Sequence, residues 1–147
     1  MKLFQIEEPD GSPNDPEAPG AAVGIDVAGG APEVAFAVGG NAAVLGDRDG
    51  FSLDLAVPPA AAPQAAWLAL FEGVRLRAER ALGRPVTHAV VAVAARPAPS
   101  FIEFLGEAAA AAGIAVLRVE AMPMSGDGRA CAAAMLAEDL APRPAGL

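Results

Sequence analysis

Val86 to Ala94 is an almost unbroken apolar run, and it sits directly after a helix-stopping Gly83 and Pro85. A strand with no polar side to show to water has to be buried on both faces. That requirement excludes a one-faced antiparallel sheet and calls for helices on both sides. The surrounding segments supply them. Residues Gln64 to Leu82 place Trp67, Leu68, Phe71, Val74, Ala78 and Leu82 along one face, with Glu72, Arg75, Glu79 and Arg80 along the other, the spacing of an amphipathic helix. Ser100 reads as the cap of a second helix from Phe101 to Ala112, with Glu103 completing a capping box and Gly113 stopping it. Ile114 to Val119 reads as another buried strand, and Gly128 to Leu140 as a final Ala-rich helix.

The N-terminal half is strand-rich. Ala22 to Val27, Glu33 to Val38 and Ala42 to Leu45 read as three short strands joined by glycine turns, and Phe51 to Val57 alternates like a half-exposed strand. The first of them delivers one carboxylate, Asp26, to the turn Ala28-Gly29-Gly30. A buried strand that ends in Asp and a glycine turn is a common start for phosphate- and metal-handling folds, because backbone N–H groups there can approach a phosphate. The expected architecture is α/β: a mixed five-stranded sheet in the order β-β-β-α-β-α-β-α, with right-handed crossovers setting the later strands parallel beside the first.

With 147 residues the chain can bury a single core. Residues 1–20 read as an acidic, disordered tail, 21–140 as the folded domain and 141–147 as a C-terminal tail. Within the first tail Leu3, Phe4 and Ile6 are apolar enough to form a docking segment. The formal net charge is −8, and Lys2 is the only lysine. Such a surface repels phosphate backbones, so nucleic acid is not an expected partner. No apolar stretch is long enough to span a bilayer. The first residues lack the pattern of a signal peptide, and the single Cys131 rules out an internal disulfide. A cytoplasmic protein is expected.

Three segments, taken in order, carry a family resemblance. Gly24-Ile25-Asp26-Val27-Ala28-Gly29-Gly30 resembles the first phosphate motif, G-I-D-L-G-T-T, of Hsp70-type ATPases. The stretch from Arg80-Ala81-Leu82-Gly83 through Pro85-Val86-Thr87-His88-Ala89-Val90-Val91 is similar to that family's L-G, P-V-T-x-A-V-I segment. Glu107 to Val119 is similar to its helix and strand E-A-G-x-x-A-G-L-x-V-L-R. The resemblance covers roughly residues 21 to 140. It implies a ribonuclease H-like fold of the actin-type ATPase lobes: the first lobe of the nucleotide-binding domain, reduced and degenerate.

The departures from that pattern bear on function. Gly29 and Gly30 replace the motif's two threonines, no lysine follows Lys2, and Ala121-Met122-Pro123-Met124 stands where the family has N-E-P-T. One carboxylate and a glycine turn cannot position Mg²⁺, three phosphates and a water. The expectation is therefore a non-enzymatic lobe with no catalytic residue and no cofactor, acting as a protein-binding assembly factor or accessory subunit. Asp26, Gly29 and Gly30 would be a degenerate phosphate loop. Leu3, Phe4, Ile6, Phe51, Leu53 and Leu55 are its candidate contacts with a protein partner or with another copy.

Two alternatives remain open at this level. One is a half-site for ATP and Mg²⁺, completed by dimerisation or by a partner chain, with Asp26 as the one metal-type residue. The other is a ribonuclease H-like, metal-dependent nuclease using Asp26, Glu120 and Glu138. Gly126-Asp127-Gly128 reads as a helix cap, His88 as exposed and Cys131 as a buried, inert thiol.

Overall fold

A computed structural model describes residues 20–45, 55–122 and 128–142. Residues 1–19 and 143–147 of the expected tails, with Phe51, Leu53, Gly126 and Asp127, lie outside them. The described elements are β1 (Ala21–Asp26), β2 (Glu33–Val38), β3 (Asn41–Val44), α1 (Gln64–Leu82), β4 (Val86–Val93), α2 (Pro99–Ala111), β5 (Ala115–Ala121) and α3 (Gly128–Leu140). They build a mixed α/β fold around a five-stranded open sheet in the order β3-β2-β1-β4-β5. The β1/β2 and β2/β3 pairs are antiparallel, whereas β1/β4 and β4/β5 are parallel.

Strand β4 lies between β1 and β5 and is buried along most of its length. Its alternate residues serve two cores. Ala89, Val91 and Val93 face α1 and α2, joining Val23 and Ile25 of β1 and the helix residues Trp67, Phe71, Val74 and Leu105. Val90 and Ala92 turn the other way, toward α3. The first core holds the large side chains: Trp67 packs edge-on against Phe101, with ring centroids 5.7 Å apart. The second is built almost entirely from alanines.

That second core is thin because a glycine lets it be. Ala22 and Gly24 of β1, with Ala35 and Ala37 of β2, meet Ala130, Ala133, Ala134 and Ala137 of α3. A Cβ at Gly24 would overlap Ala134 N, and would lie 2.6 Å from Ala130 O and 2.7 Å from Ala133 C. These are backbone atoms, so no side-chain rotation makes room. The helix rests directly on the strand.

Helix α1 keeps its expected bounds. Gly83 adopts the left-handed conformation at φ 70° and returns its N–H to Glu79 O, a termination that favours glycine. Helix α2 differs from expectation. Its N-cap is Ala98, with no side-chain cap, and Pro99 occupies the first turn, so Ser100 lies inside the helix. Proline at that position has a preset φ and no N–H needing a partner, which lets the helix start earlier than a serine cap would.

The strands also depart from expectation in two places. β5 is an edge strand, with Ala115 and Arg118 exposed and Val119 its one buried residue, because strand order is not encoded in local hydrophobicity. Residues 55–57 do not form a strand. Val57 donates its N–H to Gly30 O at 2.9 Å, tying this segment to the turn after β1. Among the described residues no helix is long and apolar enough to cross a membrane.

One chemical change should act with opposite signs at two glycines. Gly24→Ala should lower unfolding free energy by about 3 kcal/mol, the upper end of the usual overpacking range, because the clash is with backbone. Gly106→Ala, inside α2 with nothing within 4 Å of the added methyl, should raise it by roughly 0.5–1 kcal/mol. Urea titration of the two variants against wild type reads both.

Candidate functional site

In open α/β sheets, chemistry gathers at the carboxyl ends of the parallel strands. Here those ends belong to β1, β4 and β5. β1 brings Asp26 there, and Val27 continues the strand by donating its N–H to Ala92 O of β4 at 3.0 Å. β5 ends alongside β4, with Met122 donating to Val93 O at 2.8 Å.

Asp26 is 6% exposed, the one buried charged residue among those described. Its Oδ1 accepts the Ala28 N–H at 2.8 Å, the turn contact expected of a carboxylate at this position. Its Oδ2 accepts from Arg129 Nη1 at 3.3 Å. The same guanidinium donates from Nε to Met122 O at 2.8 Å. Arg129 sits in the first turn of α3, so one side chain ties together the ends of β1 and β5 across β4. With 15% and 8% side-chain exposure for Arg129 and Asp26, the pair is well shielded, where charge-assisted hydrogen bonds are strong.

This arrangement limits the chemistry open to Asp26. Each carboxylate oxygen already has a donor, and the guanidinium supplies the positive charge a metal ion would otherwise bring. A cation binding at Oδ2 would compete with Arg129 for that oxygen. Gly29 and Gly30 are exposed; an added Cβ would meet only Ala31 O at 3.9 Å from Gly29 and nothing within 4 Å of Gly30. Neither has a positive φ. The turn therefore does not require glycine for its own geometry.

The three carboxylates of the nuclease alternative do not converge. Glu120 is in the same cross-strand row as Asp26, through Ala92, which sets their Cα atoms about 10 Å apart at two strand spacings. Glu120 pairs instead with Arg118 at 3.9 Å. It also lines a cleft of about 300 Å³ with Arg96, Pro97, Pro99, Ile102 and Val119. Glu138 is at the opposite end of the sheet. There its two oxygens accept the N–H groups of Gly39 at 2.6 Å and Gly40 at 3.2 Å. Both glycines have positive φ, 60° and 84°, as a two-residue hairpin turn requires. Among the described residues no group of three or more His, Cys, Asp and Glu side chains could hold a metal ion.

The remaining candidates have structural settings. Leu55 is half-buried; its Cδ2 would be 2.9 Å from a Cβ added at Gly73, so it packs against α1 rather than standing free. Leu3, Phe4, Ile6, Phe51 and Leu53 lie outside the described residues. His88 is half-buried rather than exposed, with Nδ1 2.7 Å from Thr87 Oγ1, and burial lowers its pKa from 6.5. Cys131 is partly buried against the alanine seam between α3 and β2. Arg129 was not among the residues singled out from sequence, since a lone arginine at a helix start carries no motif. Compared with protein-family models and with curated proteins, the chain matches none.

Arg129→Met should destabilise the protein by about 3 kcal/mol by stranding Asp26, the lower end of the range for breaking a buried pair. Adding Asp26→Asn should recover more than about 1 kcal/mol of that loss. A double-mutant cycle from denaturant unfolding measures both. For His88 the folded pKa lies below the unfolded one, so the unfolded state takes up protons first. Stability should therefore fall as pH drops through 6.5. His88→Asn should flatten that slope in urea melts at neutral and mildly acidic pH.

Proposed function

We propose that this chain is a non-catalytic lobe of ribonuclease H-like, Hsp70-type architecture. It works in the cytoplasm by binding protein, as an assembly factor or accessory subunit of a larger complex. The observation that carries this reading is the Asp26–Arg129 pair. A residue that would have to bring Mg²⁺ to a nucleotide is instead closed off by an arginine from α3. Its role becomes that of a bolt between a helix and the strand ends. The exposed Gly29 and Gly30 and the sequence departures around them support the same conclusion.

A lobe that does no chemistry earns its place through its surface. Leu3, Phe4 and Ile6 are proposed contacts, and the open sheet edge at β5 offers backbone donors and acceptors to another chain. Calorimetric titration with Mg-ATP should give no binding. A dissociation constant tighter than about 100 μM, roughly −5.5 kcal/mol, would overturn the non-catalytic reading. Affinity purification from the native host should recover a stoichiometric protein partner or further copies of the chain.

A further inference from the structure

The outer side of β5 has no paired strand among the described residues. Because Met122 N–H points inward to Val93 O, alternation along the strand turns the backbone groups of Glu120 and Arg118 inward as well. Those of Val119 and Ala121 then face outward. A strand docking antiparallel would therefore form its hydrogen-bonded pair at Val119, with Arg118 and Glu120 in the flanking non-hydrogen-bonded positions. At such positions side chains from opposite strands come closest, with Cα atoms about 4.5 Å apart.

Arg118 and Glu120 lie two residues apart on one face of β5, with their side chains 49% and 44% exposed. If a second copy docks about a twofold axis through Val119, each Arg118 meets the other copy's Glu120. The edge is then self-complementary, as a twofold interface must be. A shift of centre to Arg118 would oppose two arginines, and a shift to Glu120 would oppose two glutamates. Both are unfavourable, so the charges also select the register. Beside the edge, Ile102 of α2 is 38% exposed and borders the cleft with Val119 and Ala121. The twofold axis would set the two α2 helices side by side over the extended sheet and cover this residue.

We infer that β5 is a homodimer edge: two copies pair antiparallel about Val119 into one ten-stranded sheet, held in register by reciprocal Arg118–Glu120 ion pairs. This rests on the reading of the lobe as a protein-binding module and names its partner as a second copy. Each copy carries a net charge of −8, so long-range repulsion opposes the association and added salt should screen it.

Analytical ultracentrifugation at about 50 μM should show a dimer. Arg118→Glu alone and Glu120→Arg alone should each weaken it at least about tenfold, and the double reversal should restore it. In a Cys131→Ala background, mixing Arg118→Cys with Glu120→Cys should give a disulfide-linked pair on oxidation, while either variant alone should not. A wild-type monomer at that concentration overturns the inference, whether the edge is covered by this chain's own Leu3–Ile6 segment or by another protein. A dimer indifferent to both charge reversals overturns it too. The broader reading fails separately. Mg-ATP binding would remove it with the dimer intact, and a monomer that captures a stoichiometric foreign partner would keep it without the β5 pairing.

Discussion

The contact between α3 and β1 at Gly24 sets the terms for half of the molecule. Because the helix comes down onto the strand backbone, most neighbouring positions on that face are small. They include Ala22, Ala35, Ala37 and Ala92 on the sheet and Ala130, Ala133, Ala134 and Ala137 on the helix, with Val90 beside Gly24 the larger exception. Alanines contribute little apolar area each, so this layer gains from close backbone packing and helix propensity rather than from bulk. The opposite face follows other rules. There Trp67, Phe71, Leu105 and Ile114 fill the space between the sheet and two helices, and most of the buried apolar area is on that side.

The same close approach positions the charged groups. A helix held at this distance brings its first turn against the carboxyl ends of the strands and its last turn against the β2–β3 hairpin. Arg129 at one end and Glu138 at the other then reach partners that a helix held further off would miss. The arginine neutralises Asp26, and the glutamate satisfies two turn N–H groups. The pairing of Asp26 with Arg129 is therefore tied to packing two residues away, at Gly24.

Much of this layout could be read from the chain. The apolar run of β4 required cover on both faces, and the Gly83–Pro85 stop fixed the end of α1, because burial and helix termination are local in sequence. What could not be read depends on which strand neighbours which. Ile114 to Val119 looks as apolar as an interior strand, yet β5 lies at the edge. The alternation from Phe51 to Val57 suggested a strand, but Leu55 and Val57 are drawn to α1 and to Gly30. Ser100 and Glu103 formed a plausible capping box that Pro99 forestalled. The Asp26–Arg129 and Glu138–Gly39 contacts each join residues about a hundred positions apart, and neither residue type announces its partner.

That separation has a consequence during synthesis. The ribosome makes β1 first and α3 more than a hundred residues later, and a domain folds as a unit once its segments are available. Until α3 is made, β1 and β2 can be paired and covered on the α1–α2 side, but their alanine face is bare and Asp26 has no counter-charge. A chain still short of α3 cannot close this face, so the second core waits on the last helix. Such a chain is the form most exposed to holdase chaperones and to wrong pairing, and addition of a single helix ends that exposure.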